Sequence, residues 1–425
     1  MTTQLIAVAE GLVMGTVTNA KGGRLTFLYS EEWLASPGAY PLSVSMPLSP
    51  DEQEHRKIHP FLWGLLPDNE IVLGQWARKF HVSPRNVFGL ISNVGEDCAG
   101  AVQFVKPERL DAVRSAGPLE VAWLDDAGIA GRLRTLRQDH SAWRIAHDTG
   151  QFSLAGAQPK TALLLERGRW GVPAGRTPTT HILKPPTGEF DGHAENEHFC
   201  LELARSLQLP VANSEIRWFK DEIAIVIERY DRVRTGGTIR RVHQEDICQA
   251  LGLPPTQKYQ SDGGPSARAI TELLTNTSTA PGEDIRTFVT AVAFNWFIAG
   301  PDAHAKNYAL LLGAESRTRL APLYDLASAL PYPGMQPIGL KLAMKIGGES
   351  ALRNIATRHW RRLAAEAHLN PDELLTNLRA IAQAMPDHVV TIGEHSKQQG
   401  LVHPIFNRLS ERLIARARAC QRLLK

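Results

Sequence analysis

The chain has 425 residues, enough for about three units of ordinary domain size, and its 43% hydrophobic and 21% charged content is that of a soluble globular protein. Its 47 basic and 44 acidic residues leave a surplus of +3, too small to imply nucleic-acid binding by itself. Four scattered cysteines (Cys98, Cys200, Cys248, Cys420) without a CxxC pair argue against a disulfide or zinc framework; no basic residue precedes Lys21, so no signal peptide is expected, and the longest apolar stretch, about 287–300, is too short for a bilayer. A cytoplasmic protein with no membrane partner is the expectation.

In chain order, LIAVAEGLVMGTVT, RLTFLYS and AGAVQFV predict strands of a small β-rich unit over residues 1–106. WGLLPDNEIVLGQWARKF (63–80) predicts a helix after Pro67, and the polar stretch 106–118 is a candidate boundary. VAWLDDAGIAGRLRTLRQ predicts a helix. Three short strands follow, PKTALLLE (159–166), RWGVP (169–173) and HILKP (181–185), then a helix over 195–209 and a strand pair in EIRWF and EIAIVIERYD. From about 232 helical patterns dominate, broken by one hairpin. IRTFVTAVAFNWFIA (285–299) reads as a buried helix that Gly300-Pro301 stops, because proline cannot continue the hydrogen-bond ladder. Residues 308–312 and 318–323 read as paired strands around a turn at Gly313–Ser316. An α+β fold is expected, a β-rich lobe followed by a helical one, with divisions at 1–110, 111–231 and 232–425.

Three spacings carry chemistry. Asp302 follows the stopped helix, Asn307 comes five residues later, and Asp325 follows the returning strand. Phosphoryl transfer needs a carboxylate near the accepting hydroxyl and oxygen ligands for Mg²⁺ on the triphosphate; protein kinases use a loop Asp, an Asn five residues on and a later Asp. An Asn amide oxygen and a carboxylate brought to one end of a hairpin make a partial Mg²⁺ cage. On the nucleotide side, the small-residue loop after Ser153 lets backbone N–H groups approach phosphates, although its one glycine makes it neither a P-loop nor a GxGxxG. Lys184 ends a strand where an ammonium can meet phosphates, and Glu228-Arg-Tyr-Asp231 follows an apolar strand that can offer backbone groups to adenine and Asp231 to ribose.

The strings FSLAGAQPKTALL, TPTTHILKPP, AIVIERYDR, QEDICQALGLPPTQKY, SDGGP, GPDAHAKNYALL, LAPLYDLAS and KLAMKIGG together resemble the HipA family, bacterial Ser/Thr protein kinases that act as toxins of toxin–antitoxin pairs. The resemblance spans the chain and implies a bilobal protein-kinase-like fold of the PI3/4-kinase type with an N-terminal β-rich subdomain. It implies ATP and Mg²⁺ as cofactors. Asp302 would be the catalytic base. Ala155, Gly156, Ala157, Gln158, Pro159, Lys160 and Lys184 would hold the triphosphate. Glu228, Arg229, Tyr230 and Asp231 would serve adenine and ribose, with Gln244 a further nucleotide contact. His304, Ala305, Lys306 and Asn307 would lie near phosphate and metal, and Tyr324 and Asp325 would complete the site, with Asn307 and Asp325 as the metal ligands. Ser153 matches the family's autophosphorylated serine, whose phosphate would be repelled from a loop that wraps another phosphate. Implied partners are a HipB-like helix-turn-helix antitoxin, operator DNA through that complex, and a protein substrate such as glutamyl-tRNA synthetase, whose phosphorylation halts translation. A small-molecule kinase of similar fold and a non-catalytic co-repressor remain the alternatives.

Weaker signals lie further on. Lys341 and Lys345 in KLAMK are candidates for DNA or phosphate contacts. Arg408, Arg412 and Arg416 repeat every four residues and are expected on one solvated helix face. His193 and His198 do not have HExxH spacing and read as a helix N-terminus rather than a metal pair.

Overall fold

The computed structural model describes residues 3–114, 120–140, 142–143, 152–188, 190–335 and 339–425, so part of the expected boundary (115–118) lies outside the described residues. Two compact units emerge, each assembled from separate stretches of chain. The first comprises Met1–Pro185, Arg217–Pro255 and Ala309–Thr318, and the second Pro186–Ile216, Thr256–Tyr308 and Arg319–Lys425.

The first unit opens with the expected strands. Leu25–Tyr29 alternates in the manner of a half-buried strand, with Leu25, Phe27 and Tyr29 inside. It joins a four-stranded sheet in the order Leu25–Tyr29, Leu12–Asn19, Thr3–Ala9, Gln103–Val105. Helix Glu70–Phe80 starts where expected, because the Asn69 side chain accepts the amides of Ile71 and Val72 at 2.9 and 3.3 Å. Two further helices, His55–Gly64 and Val87–Val94, occupy stretches that read as strand-rich. Pro60 inside the first and the short apolar run VFGLISNV in the second hide their helical period. Their faces meet the sheet in one core that includes Phe27, Phe61, Ile91 and Phe104.

A second sheet of this unit runs Val121–Leu124, Arg169–Pro173, Thr161–Glu166, His181–Lys184, Glu222–Glu228, Ser214–Phe219, and the chain leaves the second unit within its last strand. The expected single helix from Val121 is thereby corrected. Val121 to Leu124 pair with Pro173 to Trp170, and the helix Asp126–Gln138 begins only after the Asp125 carboxylate accepts the Gly128 amide at 2.8 Å. Its Ile129 and Leu133 pack with Leu163, Trp170, Leu183 and Phe219. The helical expectation from 232 also gives way to strands. Arg232–Thr235 and Thr238–Arg241 form a hairpin whose Gly236 and Gly237 both have positive φ (57° and 81°), the pairing that a tight type I′ connection requires. His243–Asp246 follows and pairs with Ala309–Leu312, Gln244 facing Leu311.

The second unit is mostly helical: His193–Ser206, Ala267–Thr277, Pro281–Phe297, Thr357–Glu366, Pro371–Gln398 and Ile405–Leu423. Trp296 meets Trp360 edge-on at 5.3 Å in its core. The last helix corrects the expectation of a uniformly solvated basic face. Arg408 and Arg412 are exposed, whereas Arg416 is buried, its guanidinium 5.1 Å from the Trp296 ring and one N–H bonded to the Trp296 carbonyl at 3.0 Å. A four-residue step advances the helix by about 400°, so each repeat drifts roughly 40° around the axis and the third arginine turns inward. All four cysteines are buried free thiols. Among the described residues no helix is long and apolar enough to cross a membrane.

Candidate active site

In the first unit, the loop after Phe152 is clasped by two segments far from it in sequence. Phe152 bridges Asp97 in parallel, the Ser153 amide donates to the Asp97 carbonyl at 3.0 Å, and the Ser153 hydroxyl donates to the Leu65 carbonyl at 2.7 Å. Pro67 bridges Gly156, the Asp68 amide donates to the Gly156 carbonyl at 3.1 Å, and the Asn69 side chain reaches the Ala157 carbonyl at 3.4 Å. Ser153 is fully buried. Gly156 has φ +100°, a left-handed conformation that favours glycine, and a Cβ there would stand 2.7 Å from the Lys160 Nζ and displace that ammonium. The Lys160 ammonium folds back over the loop to the Ala155 carbonyl at 2.7 Å and lies 5.1 Å from the Trp143 ring. Ala157 is exposed, Ala155 and Gln158 are half-buried, and Pro159 is buried.

Lys184 is buried at the end of its strand, in register with Ile225, and is not the solvated charge that an isolated strand-end lysine usually is. Glu228 ends the neighbouring strand opposite His181 and is exposed. The Tyr230 hydroxyl bonds the Gln244 side chain, whose Nε2 reaches Asp231 at 3.4 Å. Arg229 and Asp231 belong to a buried ionic cluster. Asp231 accepts Arg229 at 3.0 and 2.9 Å, the Gly100 amide at 2.7 Å and pairs with Arg232 at 3.0 Å. Asp97 accepts Arg232 at 2.9 Å, Arg241 at 3.2 Å and the Thr179 hydroxyl and amide at 2.6 and 3.0 Å. Burial alone would raise both carboxyls, but the surrounding guanidiniums overcome it and hold both below the usual range. The Asp231 carboxylate therefore has a structural occupation that the ERYD string does not announce. Asp97, in GEDCAG, was not a candidate from sequence at all.

In the second unit, the helix Pro281–Phe297 delivers the acidic loop. Ala299 takes a left-handed φ of 52°, and the Gly300 amide closes onto the Asn295 carbonyl at 2.8 Å, a Schellman-type stop. A Cβ on Gly300 would stand 2.7 Å from Asn295 Oδ1 and 3.1 Å from the Ala327 carbonyl. Pro301 then leads to Asp302, which is exposed. The Asp302 carbonyl accepts the His304 amide at 2.8 Å and the Asn307 side-chain Nδ2 at 2.9 Å, and the Asn307 amide donates to His304 at 2.9 Å. Asn307 is thus tied directly to Asp302, with its amide oxygen on the side away from that bond. Ala305–Asn307 is a 3₁₀ turn in which Ala305 and Lys306 are buried, as is His304. The Tyr324 hydroxyl donates to the Lys306 carbonyl at 2.7 Å, so the residues preceding Asp325 and Asn307 are joined. Asp325 has φ 55°. A carboxylate and an oriented amide oxygen fit Mg²⁺, which takes few protein ligands and completes its shell with water and phosphate. Among the described residues no group of three or more His, Cys, Asp or Glu could hold a metal. His198 instead bonds Ser214 at 2.9 Å, and burial pulls its pKa down to about 4.

Sequence reading missed Tyr259, whose hydroxyl donates to Asp302 Oδ1 at 2.5 Å and whose ring meets His304 edge-on at 5.0 Å. Its signal was there, in TQKY ahead of SDGGP. Lys341 and Lys345 are exposed on the strand Lys341–Ile346, where Ala343 donates to the Pro301 carbonyl at 3.0 Å.

Comparison with known proteins fixes the family. Residues 5–105 match the HipA N-terminal domain and residues 152–389 the HipA-like C-terminal domain. A putative kinase of Sinorhizobium fredii is 36% identical over 414 residues, 96% of each chain. The chain belongs to the HipA family. A serine/threonine-protein kinase toxin HipA of Shewanella oneidensis is 28% identical over 86% of this chain and 83% of its own length. The solved complex of Shewanella oneidensis HipA with HipB and operator DNA contains a chain that superposes with a TM-score of 0.83 at 25% identity, covering 99% of this chain and 98% of that one. The α+β, protein-kinase-like HipA fold expected from sequence is the fold of this chain.

Proposed function

We propose that this protein is an ATP- and Mg²⁺-dependent serine/threonine protein kinase and the toxin of a toxin–antitoxin pair. The observation that carries the reading is the exposed Asp302 carboxylate, on a loop whose backbone also anchors Asn307. Asp302 orients the acceptor hydroxyl and takes its proton. Asn307 and Asp325 hold the metal, which when bound neutralises charge on the transferred phosphoryl group. His304, Ala305, Lys306 and Tyr324 frame those ligands. Residues Ala155 to Lys160 and Lys184 hold the triphosphate, Glu228 to Tyr230 receive adenine through backbone groups, and Gln244 and Asp231 complete the nucleotide contacts. Asp231 acts there from within its ionic cluster.

Ser153 is the autophosphorylation site. Its hydroxyl is engaged with Leu65, so a phosphate there is incompatible with the clasped loop and switches the kinase off. We assign the functional divisions to 1–110, 111–231 and 232–425. By analogy with the Shewanella complex, a HipB-like antitoxin and operator DNA are the partners in co-repression, with Lys341 and Lys345 as candidate phosphate contacts. The target is a protein of the translation machinery, an aminoacyl-tRNA synthetase of the glutamyl type.

Intact mass before and after incubation with ATP and Mg²⁺ tests the core of this. The wild type gains one phosphate, and Asp302→Ala and Ser153→Ala gain none. A wild type that starts unphosphorylated and gains nothing would favour a non-catalytic co-repressor instead.

A further inference from the structure

Tyr259 is unusually well fixed for an aromatic residue on a loop. Its own carbonyl accepts the Asp262 and Gly264 amides at 3.0 and 2.9 Å. Gly264 has no room for a side chain, since a Cβ would stand 2.3 Å from the Gln257 carbonyl oxygen and 2.6 Å from that of Tyr259. The neighbours of Tyr259 are anchored as well. The Lys258 carbonyl accepts the Ala305 amide at 3.1 Å, and the Gln260 side chain accepts the Lys345 amide at 2.7 Å. Three consecutive residues thus hold on to the acidic loop and to the strand beside it. The ring rests edge-on against His304 at 5.0 Å, which aims the hydroxyl at Asp302.

The contact it makes is directional. The phenol donates to Oδ1 at 2.5 Å, the length of a strong bond from a neutral hydroxyl to a carboxylate. Among the described residues no partner is bonded to Oδ2. A free carboxylate rotates about its terminal torsion, which is broad and two-fold. A phenol fixed from both sides removes that freedom and divides the two oxygens into a held one and a working one.

We propose that Tyr259 is the positioning residue for Asp302, holding Oδ1 so that Oδ2 faces the acceptor hydroxyl of the substrate. This rests on Asp302 being the catalytic carboxylate. A phenol that acts through Asp302 contributes to the transfer step and not to ATP capture.

The test is single-turnover autophosphorylation of the full chain, read by intact mass across a range of Mg·ATP concentrations, for wild type, Tyr259→Phe, Tyr259→Ala and Asp302→Asn. Phe keeps the ring against His304 and removes only the hydroxyl. The expected result is a maximal rate lowered roughly 10- to 100-fold in Tyr259→Phe, the scale of a small misplacement at a reacting group, with half-saturating ATP unchanged. Tyr259→Ala falls at least as far. A Tyr259→Phe rate equal to wild type overturns the proposal, and so does a loss expressed mainly as weaker ATP dependence, which marks a role of the hydroxyl in nucleotide binding. If Asp302→Asn transfers phosphate at the wild-type rate, or the wild type transfers none, the reading of Asp302 falls and takes this inference with it. If Asp302→Asn is inactive and Tyr259→Phe is not, only the inference falls.

Discussion

Replacing Asp97 by alanine is the perturbation from which the structure predicts the largest loss. Three guanidiniums (Arg229, Arg232, Arg241) face two carboxylates (Asp97, Asp231) in a pocket where every one of these side chains is almost wholly buried. Asp97→Ala leaves three buried cations with one anion. Removing one partner of a buried ion pair costs about 3–5 kcal/mol, because the remaining charge stays desolvated. It also strands the Thr179 amide, worth about 1–3 kcal/mol when buried and unpaired, and takes the acceptor from the Thr179 hydroxyl proton, although that oxygen keeps its bond from Arg229 at 2.8 Å. These losses overlap, so the expected total is roughly 4–6 kcal/mol rather than their sum. Urea unfolding followed by tryptophan fluorescence measures it. Arg241→Met, which removes the surplus cation, should cost far less. A loss under about 1 kcal/mol for Asp97→Ala, or an equal loss for Arg241→Met, would refute the charge argument. The carboxyl is held low in the folded state. Its contribution is therefore full above the unfolded carboxylate pKa near ~4 and fades as pH falls below it. Since the Asp97 carbonyl also holds the Ser153 amide, loosening of the loop should accompany the loss and show as faster hydrogen exchange at Ser153.

Two further outcomes are expected. Glu245 is buried with one oxygen on the Val44 amide at 2.8 Å, and burial raises its pKa from 4.5 to about 8. The folded state keeps a proton that the unfolded state releases, so stability should fall as pH rises from about 4.5 to about 8. Glu245→Gln should remove that slope and be the more stable protein at pH ~8 by roughly 2 kcal/mol, after the cost of its own buried amide, as read from urea midpoints at acid and alkaline pH. Gly264→Ala forces backbone apart around Tyr259; a loss of about 1–3 kcal/mol by thermal melting, with phosphate transfer reduced beyond what unfolding explains, is expected.

What could be read from sequence was local. Gly300-Pro301 announced the end of a helix and so the loop that carries Asp302, with Asn307 five residues on, because a helix stop is set by backbone geometry within a few residues. The loop after Ser153 and the strand ending in Lys184 were legible for the same reason. Contacts that close over long separations were not: Tyr259 with Asp302 spans 43 residues, Ser153 with Leu65 spans 88, and Arg232 with Asp97 spans 135. No periodicity records such pairings. The ERYD string shows the difference within four residues. The apolar strand it ends could be anticipated, but the task of the Asp231 carboxylate depends on Gly100, Arg229 and Arg232, two of which sit beside it in sequence and one of which does not.

The same contrast bears on what the N-terminal part of the chain does. Residues 65–69 and 97 supply the carbonyls, amides and bridges that hold the loop from Phe152 to Ala157, and Ser153 donates its hydroxyl to the first of them. The loop has one internal tie, from Lys160 to the Ala155 carbonyl, and the connections that follow helices His55–Gly64 and Val87–Val94 hold it from outside. Phosphorylating Ser153 replaces a donor on a carbonyl with a dianion facing that carbonyl, an exchange from attraction to repulsion at the tightest point of the clasp. The Ser153 hydroxyl is thus one of several contacts that set the loop's shape, and the only one of them that the phosphorylation proposed above would remove directly.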